Sequence, residues 1–498
     1  MSARAQSIGR SLVPARSSRA PNYWCTWAAQ NYMYGQHEAK LDPAILEGES
    51  GSRLAHEAMN EDAIFGAMGW ANLFFARVRS DLFFLLDDGW ESGGTSTFEV
   101  NTRKFPSFAG SPEDRLKKLN RAIQDRGWRG AGLWCRNTPG GDADYRLESL
   151  SASADIHYWK VDIGDPSFNL IRLRDASHLP LTLEHVHGEL PINGDWRMDG
   201  RFGPLSPNSR RIEILKHTDV YRTYDVTSIL SLPTTLDRVA AMLQGAEGDP
   251  ETRGLLNVED EAYVAAALGC TMGIMRHPMV DLRAGDDVDL FFNGPRKTKK
   301  RMDEVVRALR WQRIAPPFSP GIGKVTISSE ILTDTWRFER GQTWQAEIIG
   351  NTVRQGAPAA ITRNLALPAV KSRGEKPFIF ASRFSNGAVA IAAQERTAVE
   401  KAWYMPACEV ILPISDASGP FGIFGQFESL TLVSDKSFRD RRILAQDLAS
   451  NEAFDVSHAV IAKENTLQIP GAIIREIGLH SATPGDLSSP GLVLAIAP

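Results

Sequence analysis

A lysine and an aspartate stand two residues apart at the end of an apolar run of strand length, residues 158–163. Because side chains alternate along a strand, Lys160 and Asp162 would share one face, while Trp159 and Val161 would point to the other. An ammonium group beside a carboxylate favours the ionised carboxylate, which is the form that a nucleophile requires. The pattern indicates either a catalytic nucleophile at Asp162 or a structural ion pair at a strand end.

A second apolar run, residues 81–86, ends in two adjacent carboxylates, Asp87 and Asp88, which are followed by a glycine and Trp90. In parallel α/β proteins, ligands bind at the carboxyl ends of the strands. Adjacent acids at such an end would hydrogen-bond a polyhydroxylated ligand, and Trp90 would offer an apolar face to a sugar ring. The alternative is that the two aspartates cap the next helix.

A third run, residues 212–217, is predicted to be a short strand that leads to Asp219. Retaining glycosidases use two carboxyl groups about 5–5.5 Å apart, one as nucleophile and one as general acid/base. Asp219 is the predicted partner of Asp162, and Asp225 is the alternative if Asp219 instead caps a helix that starts near residue 221. Arg222, which is close in sequence, joins the predicted substrate-binding residues.

The composition is that of a globular protein without a basic surface for nucleic acid. Apolar residues make up 43% and charged residues 23% of the 498 positions, and the net charge is −4. No apolar run approaches the ~20 residues of a membrane span. The four cysteines lack metal-ligand spacing and are interpreted as buried free thiols, which favours a cytoplasmic location. Nothing in the sequence opposes a homo-oligomer.

Strand-like runs alternate with helical patterns over residues 22–318, which is typical of βα units. Strands are predicted at residues 23–28, 81–86, 130–135, 158–163, 181–186, 212–217, 255–258 and 272–275. Helices are predicted at residues 60–78, 112–126, 233–243 and 298–313. The second of these has a capping box at Ser111 and Asp114, and the last has a basic face that is assigned to solvent. Residues 1–21 are predicted to be a disordered arm.

A Pro-rich boundary at residues 316–321 precedes a region of short alternating runs. Its predicted strands lie at residues 325–329, 344–349, 377–381, 388–392, 410–413 and 430–433. The predicted fold class is therefore α/β: a (β/α)8 TIM barrel over residues 22–318, followed by a C-terminal antiparallel β-sandwich over residues 322–498.

Taken in order, these motifs resemble the α-galactosidase-like glycoside hydrolases, families 27 and 36 of the clan that includes family 31. The resemblance covers roughly residues 22–315 and rests on LDDGW at 86–90, KFP at 104–106, GLW at 132–134, YWKVD at 158–162 and TD at 218–219. It implies a barrel with a following β-sandwich, no cofactor or metal, and an oligosaccharide or glycoside as substrate. It implies Asp162 as nucleophile and Asp219 as general acid/base, with sugar contacts from Asp87, Asp88, Lys160, Trp134 and Arg201.

Two departures from the family pattern bear on the substrate. Family 36 usually has tryptophan where this chain has Val161, and its Cys-x-Ser-Gly-Gly segment is replaced by EHVHGE at residues 184–189. Glu184 therefore joins the predicted substrate-binding residues, although this segment could instead be structural.

The resulting hypothesis is an exo-acting retaining α-glycosidase that acts on terminal α-galactosides. Another α-glycosidase or a transglycosylase is the nearest alternative. A Mg²⁺-dependent barrel lyase or isomerase, with Asp88, Asp162 and Glu184 around the metal, is a second alternative. A non-catalytic glycan-binding protein is the third.

Overall fold

The structure is a computed structural model. It describes residues 6–33, 49–93, 96–137, 142–162, 168–177, 179–186, 209–223, 232–279, 296, 298–337, 350–416 and 419–497.

Eight parallel strands form the first sheet, and their spatial order follows their order in the chain. They are β1 (Tyr23–Cys25), β2 (Phe83–Leu86), β3 (Ala131–Arg136), β4 (Tyr158–Asp162), β5 (Thr182–Val186), β6 (Val220–Arg222), β7 (Leu255–Asn257) and β8 (Gly273–Ile274). β8 pairs with β1, and a parallel bridge between Asn257 and Thr271 joins β7 to the start of β8. The sheet is therefore a nearly closed barrel, as the sequence predicted.

The strands alternate as predicted, with one face to the barrel interior and the other to the surrounding helices. Tyr23, Phe83 and Tyr158 pack together inside the barrel. On the neighbouring positions, Trp24 and Trp159 belong to the larger apolar core between strands and helices. This alternation places Lys160 and Asp162, two and four residues after Tyr158, on the interior face of β4.

The helices around the barrel are α1 (Trp27–Met33), α2 (Glu49–Ala58), α3 (Glu61–Phe65), α4 (Trp70–Leu73), α5 (Pro112–Gln124), α6 (Asp142–Ala154), α7 (Phe168–Ser177), α8 (Ser209–His217), α9 (Leu232–Ala246), α10 (Ala262–Leu268) and α11 (Met302–Gln312). The predicted capping box of α5 is confirmed, since Ser111 Oγ accepts from the Asp114 amide at 3.1 Å. The predicted helix 60–78 is instead two short helices, α3 and α4, followed by Phe75 at φ 49°.

One predicted strand is wrong. Residues 212–217 belong to helix α8, and the sixth strand is β6, which starts at Val220. The buried side chains Ile214 and Leu215 gave a short apolar run that periodicity alone cannot distinguish from a strand. Glu213 pairs with Lys216 and His217, three and four residues later, which is the spacing of ion pairs along a helix.

The C-terminal region is strand-rich and mostly antiparallel, with three parallel pairs. Its strands are β9 (Val325–Ile327), β10 (Ile331–Arg337), β11 (Thr352–Pro358), β12 (Ala360–Arg363), β13 (Ala369–Ser372), β14 (Phe378–Arg383), β15 (Val389–Gln394), β16 (Arg396–Ala398), β17 (Ala402–Tyr404), β18 (Cys408–Pro413), β19 (Phe421–Gly425), β20 (Ser429–Val433), β21 (Arg442–Asp447), β22 (Ala453–Asp455), β23 (Ile461–Ala462), β24 (Thr466–Pro470) and β25 (Gly491–Ala497). A helix, α12 (Gly471–Gly478), follows β24. The predicted strand 344–349 lies outside the described residues.

A nine-stranded sheet lies between the barrel and a five-stranded sheet. Along β15, Ala390 and Ala392 belong to the core shared with the barrel, whereas Val389 and Ile391 belong to the core shared with the five-stranded sheet. The C-terminal domain therefore packs on the barrel through one face of its larger sheet.

The described part of the N-terminal arm, residues 6–21, is ordered, which corrects the prediction of disorder. A strand at Gln6–Ser7 pairs with β22. Further along, the Leu12 amide donates to Gln446 at 2.5 Å, and the Ser18 amide donates to buried Asp81 at 2.7 Å. The arm thus joins the C-terminal domain to the barrel.

Candidate active site at the carboxyl ends of the barrel strands

Four of the predicted site residues lie at one end of the barrel. Asp87 and Asp88 directly follow β2, Asp162 ends β4 and Arg222 ends β6. Because the strands are parallel, their carboxyl ends lie at the same edge of the sheet. This edge, called the mouth below, is where substrates bind in barrel enzymes.

Lys160 pairs with Asp87 below the mouth. Its Nζ lies 2.8 Å from Asp87 Oδ2, and the two side chains are only 2% and 5% exposed. Cys25 Sγ donates to the same oxygen at 2.9 Å, and the Asp88 amide donates to Oδ1 at 2.9 Å. Burial, reinforced by Asp87, raises the pKa of the Cys25 thiol well above its usual value, so this thiol is a neutral donor. The polar atoms of Lys160 and Asp87 that were predicted to contact a sugar are thus hydrogen-bonded to other groups of the protein.

Asp162 differs from this pair because its side chain is only half-buried. Trp134 Nε1 donates to Asp162 Oδ2 at 3.0 Å. Trp134 is itself buried on β3, which pairs in register with β4, so the indole holds the carboxylate in a defined orientation. The main chain is also fixed, since Asn137 donates its amide to the Asp162 carbonyl at 2.6 Å.

Asp88 lies at the rim, about one quarter exposed, with His56 as its neighbour. His56 Nε2 is 3.0 Å from Asp88 Oδ2, and the His56 ring packs against the half-buried Trp27, with ring centroids 6.1 Å apart. Trp27 and His56 were not predicted as site residues. The signal for Trp27 was present, since it follows β1 at the carboxyl end and is an aromatic suited to a sugar face.

Trp90 does not lie in the mouth, which corrects its predicted role as a sugar platform. The side chain is fully buried, and its ring packs against Trp159 with centroids 6.4 Å apart. Its Nε1 donates to the Trp134 carbonyl at 2.9 Å. Trp90 therefore supports the strand that presents Trp134 to Asp162.

The structure does not bring Asp219 to Asp162, which corrects the predicted carboxyl pair. Asp219 precedes β6 and so lies at the opposite end of the barrel. Its Oδ2 accepts from Arg174 of α7 at 2.5 Å and from the Leu183 amide at 2.8 Å. Leu183 pairs with Trp159, three residues before Asp162, which corresponds to about 10 Å along the strand. Burial raises the pKa of Asp219, as would suit a general acid, but the location excludes that role.

Two predicted residues, Asp225 and Arg201, lie outside the described residues.

Glu184 and Arg222 are inside the barrel and fully buried rather than open at the mouth. Glu184 Oε1 accepts from Tyr23 at 3.1 Å and from Asn257 at 2.6 Å. Burial raises the pKa of Glu184, although Arg222 and Lys160 oppose the shift. Arg222 Nε donates to Glu259 at 2.5 Å. Glu259 was not predicted from the sequence.

The carboxylates named for a Mg²⁺ site do not gather. Asp88 follows β2 at the rim of the mouth. Glu184 lies in the barrel interior, where it accepts hydrogen bonds from Tyr23 and Asn257. Within the described ranges, His, Cys, Asp and Glu side chains form no group of three that could hold a metal ion. The alternative built on Asp88, Asp162 and Glu184 therefore lacks its geometry.

Comparison of the chain with protein-family models and with curated proteins gave no match. As far as the chain is described, every helix is too short or too polar to cross a membrane.

Proposed function

We propose that the protein is a retaining glycoside hydrolase of the α-galactosidase-like type, which acts at the carboxyl end of its barrel. Asp162 is the nucleophile and Asp225 is the general acid/base. Asp162 attacks the anomeric carbon while Asp225 protonates the leaving oxygen. Water activated by Asp225 then releases the sugar, with net retention of configuration.

One observation carries the assignment of Asp162. Of the two interior carboxylates at the ends of β2 and β4, Asp87 is sealed by Lys160 and Cys25, whereas Asp162 is half-exposed and held by Trp134. A nucleophile must reach substrate and must keep its orientation. Asp162 satisfies both conditions, and Asp87 satisfies only the second.

The assignment of Asp225 follows from the position of β6. A general acid must lie on the same side of the barrel as the nucleophile, and the strand delivers Arg222 to that side. Asp225 is three residues further along the chain, whereas Asp219 precedes the strand and is bound by Arg174.

The rim supplies groups suited to a sugar ring. Asp88 and His56 offer polar atoms for hydroxyls, and Trp27 offers an aromatic face. A terminal α-galactoside is the substrate proposed from the family resemblance. The changed 184–189 segment makes other α-glycosides, and transfer to a second sugar, outcomes to be measured.

The test is hydrolysis of a panel of nitrophenyl α- and β-glycosides with and without EDTA. We expect release from one α-glycoside that does not respond to the chelator. Asp162→Asn should reduce kcat by at least about 10⁴-fold, because the covalent step is lost. Asp225→Asn should slow glycosides with poor leaving groups far more than dinitrophenyl glycosides, because only poor leaving groups need a proton.

Asp219→Asn is the matched control. Its kcat, and the ratio of its rates on glycosides with poor and good leaving groups, should stay close to those of the parent protein. Full activity in Asp162→Asn would contradict the nucleophile assignment. A steeper leaving-group dependence in Asp219→Asn rather than in Asp225→Asn would contradict the acid/base assignment. Sugar binding by calorimetry with no turnover of any glycoside would favour a glycan-binding protein.

A further inference from the structure

An open pocket lies beside the rim of the mouth, between α2, α3 and the segments that flank α5. Its volume is about 630 Å³, and it is called the outer pocket below. Six charged residues line it: Glu57, Glu61, Asp62, Arg103, Lys104 and Arg126. Three of them are carboxylates and three are cations, so the lining favours neither an anion nor a cation as ligand.

The outer pocket and the rim share a wall. Lys104 lines the pocket, and its Nζ donates to the carbonyl oxygens of His56 at 2.6 Å and Gly89 at 2.9 Å. Gly89 has φ 109°, and a Cβ there would lie 2.8 Å from the His56 Cα, so the two chain segments are in contact. The rim groups His56 and Asp88 are therefore carried by segments that one lysine of the outer pocket holds together.

An exposed pair of opposite charges lies where the outer pocket meets the rim. Glu57 follows His56 on α2, and Arg103 Nη2 donates to its two carboxylate oxygens at 2.7 and 2.8 Å. The Glu57 and Arg103 side chains are 43% and 70% exposed. The hydrogen bond from Arg103 lowers the pKa of Glu57, so its carboxylate is an ionised acceptor. A ligand hydroxyl can donate to this carboxylate and accept from the guanidinium at once.

Another part of the lining is apolar and held in place. The half-buried Phe65 ring packs edge-to-face on Phe108 with centroids 5.6 Å apart, and the Arg126 guanidinium lies 4.7 Å from the Phe65 centroid. Arg126 is fixed in turn, because its Nε donates to Asn72 Oδ1 at 2.9 Å. Exposed Pro106 adds a second apolar surface. Ring surfaces beside placed donors and acceptors suit a sugar, which has apolar ring faces and hydroxyl edges.

We propose that the outer pocket binds a distal sugar unit of the oligosaccharide whose terminal unit lies in the mouth. The lining has no excess charge, presents exposed donors and acceptors, and offers an aromatic surface, all beside the rim. This inference rests on the proposed function and names its substrate class, an oligosaccharide rather than a glycoside of one sugar. Contacts to the distal unit supply binding free energy remote from the bond that reacts.

The experiment compares Arg103→Ala with Arg121→Ala. Arg121 on α5 is 74% exposed and lies 3.0 Å from Asp125, so it is a matched surface ion pair that does not line the outer pocket. Exposed pairs contribute little to stability, so both variants should fold. Glu57→Gln is a second pocket variant, which keeps the size of the side chain and removes its charge. All variants also carry Asp162→Asn, so that bound sugar is not hydrolysed.

The first readout is calorimetric binding of two probes, a trisaccharide with a terminal α-galactosyl unit and methyl α-galactoside. Arg103→Ala and Glu57→Gln should raise the Kd of the trisaccharide about tenfold, the loss expected for one hydrogen bond to a charged group. The Kd of methyl α-galactoside should stay within about twofold, and Arg121→Ala should change neither value. Unchanged trisaccharide affinity in both pocket variants would overturn the inference. Equal weakening of both probes would also overturn it, because a single sugar in the mouth does not reach the outer pocket.

The second readout locates the sugar and does not require activity. The trisaccharide should slow amide hydrogen exchange at residues 57–66 and 103–107, whereas methyl α-galactoside should leave these segments unchanged. If the parent protein hydrolyses no glycoside, the proposed function fails, and this protection still decides whether the outer pocket binds sugar. Protection confined to the mouth, or no binding of the trisaccharide, would overturn the inference even in an active enzyme.

Discussion

The Lys160–Asp87 pair joins residues that are 73 positions apart in the chain. The sequence showed a lysine two residues before Asp162 and predicted that both side chains share a face, which the strand confirms. It did not show that the lysine is directed to β2, because that depends on the stacking of β2, β3 and β4. The same limit applies to Glu259, whose partner Arg222 lies on the neighbouring strand.

Lys160→Met is expected to lower the free energy of unfolding by about 3–5 kcal/mol, because it leaves the Asp87 carboxylate buried without its cation. Urea denaturation measures the loss. The double variant Lys160→Met, Asp87→Asn should recover part of it, since the unpaired charge is removed. A loss below about 1 kcal/mol in the single variant would show that the Lys160–Asp87 ion pair behaves as a solvent-exposed pair rather than a buried one.

The carboxyl group of Glu91 should make the free energy of unfolding depend on pH near neutrality. It is nearly buried beside β2, and its carboxylate accepts from the Ser96 and Phe98 amides at 2.8 and 2.7 Å. Burial outweighs these bonds and raises its pKa to about 7. Because the folded-state pKa exceeds the unfolded value, the proton contributes stability below about pH 4.5, and this contribution is lost as the pH rises through 7.

Glu91→Gln removes that titration. The difference in unfolding free energy between the parent protein and the variant should fall by about 3 kcal/mol between pH 4.5 and 7.5, at ~1.4 kcal/mol per pKa unit. Denaturant melts at several pH values measure it. A difference that does not change with pH would mean that the carboxylate stays ionised in the fold.

At the scale of elements, the sequence predicted seven of the eight barrel strands within a few residues, because each is a short apolar run ended by turn residues. The exception was the predicted strand at residues 212–217, which belongs to helix α8. The apolar residues of this helix are too few to reveal a helical period. The predicted solvated face of α11 was also wrong, since Arg307 is fully buried against Asp447. A basic helix face shows its charge in the sequence but not the partner domain that neutralises it.

The capping box of α5 gives a local prediction. Ser111→Ala removes the side-chain acceptor for the Asp114 amide and should cost about 1 kcal/mol of unfolding free energy. Glycoside turnover should not change, because the cap is remote from Asp162. Ser111→Asp, which restores an acceptor, is the control and should stay within a few tenths of a kcal/mol. Equal losses in both variants would mean that the cap does not contribute.

At the scale of the whole molecule, the N-terminal arm and the buried interdomain pairs make the barrel and the C-terminal domain depend on each other. Deletion of residues 1–17 removes the strand pairing with β22 and the bond from Leu12 to Gln446. The expected loss is roughly 2–4 kcal/mol, at about 1 kcal/mol per hydrogen bond. Calorimetry should show one transition before and after the deletion. Two separate transitions in the full chain would contradict this interdependence.

The most direct test of the central claim is to trap the proposed covalent intermediate on Asp162. A 2-deoxy-2-fluoro glycosyl fluoride of the sugar that the enzyme accepts should inactivate it, and digestion with mass spectrometry should place one sugar on the peptide that contains Asp162. The account predicts that label, and its absence from Asp162→Asn. A label on a different residue, or hydrolysis that inverts the anomeric configuration, would contradict it.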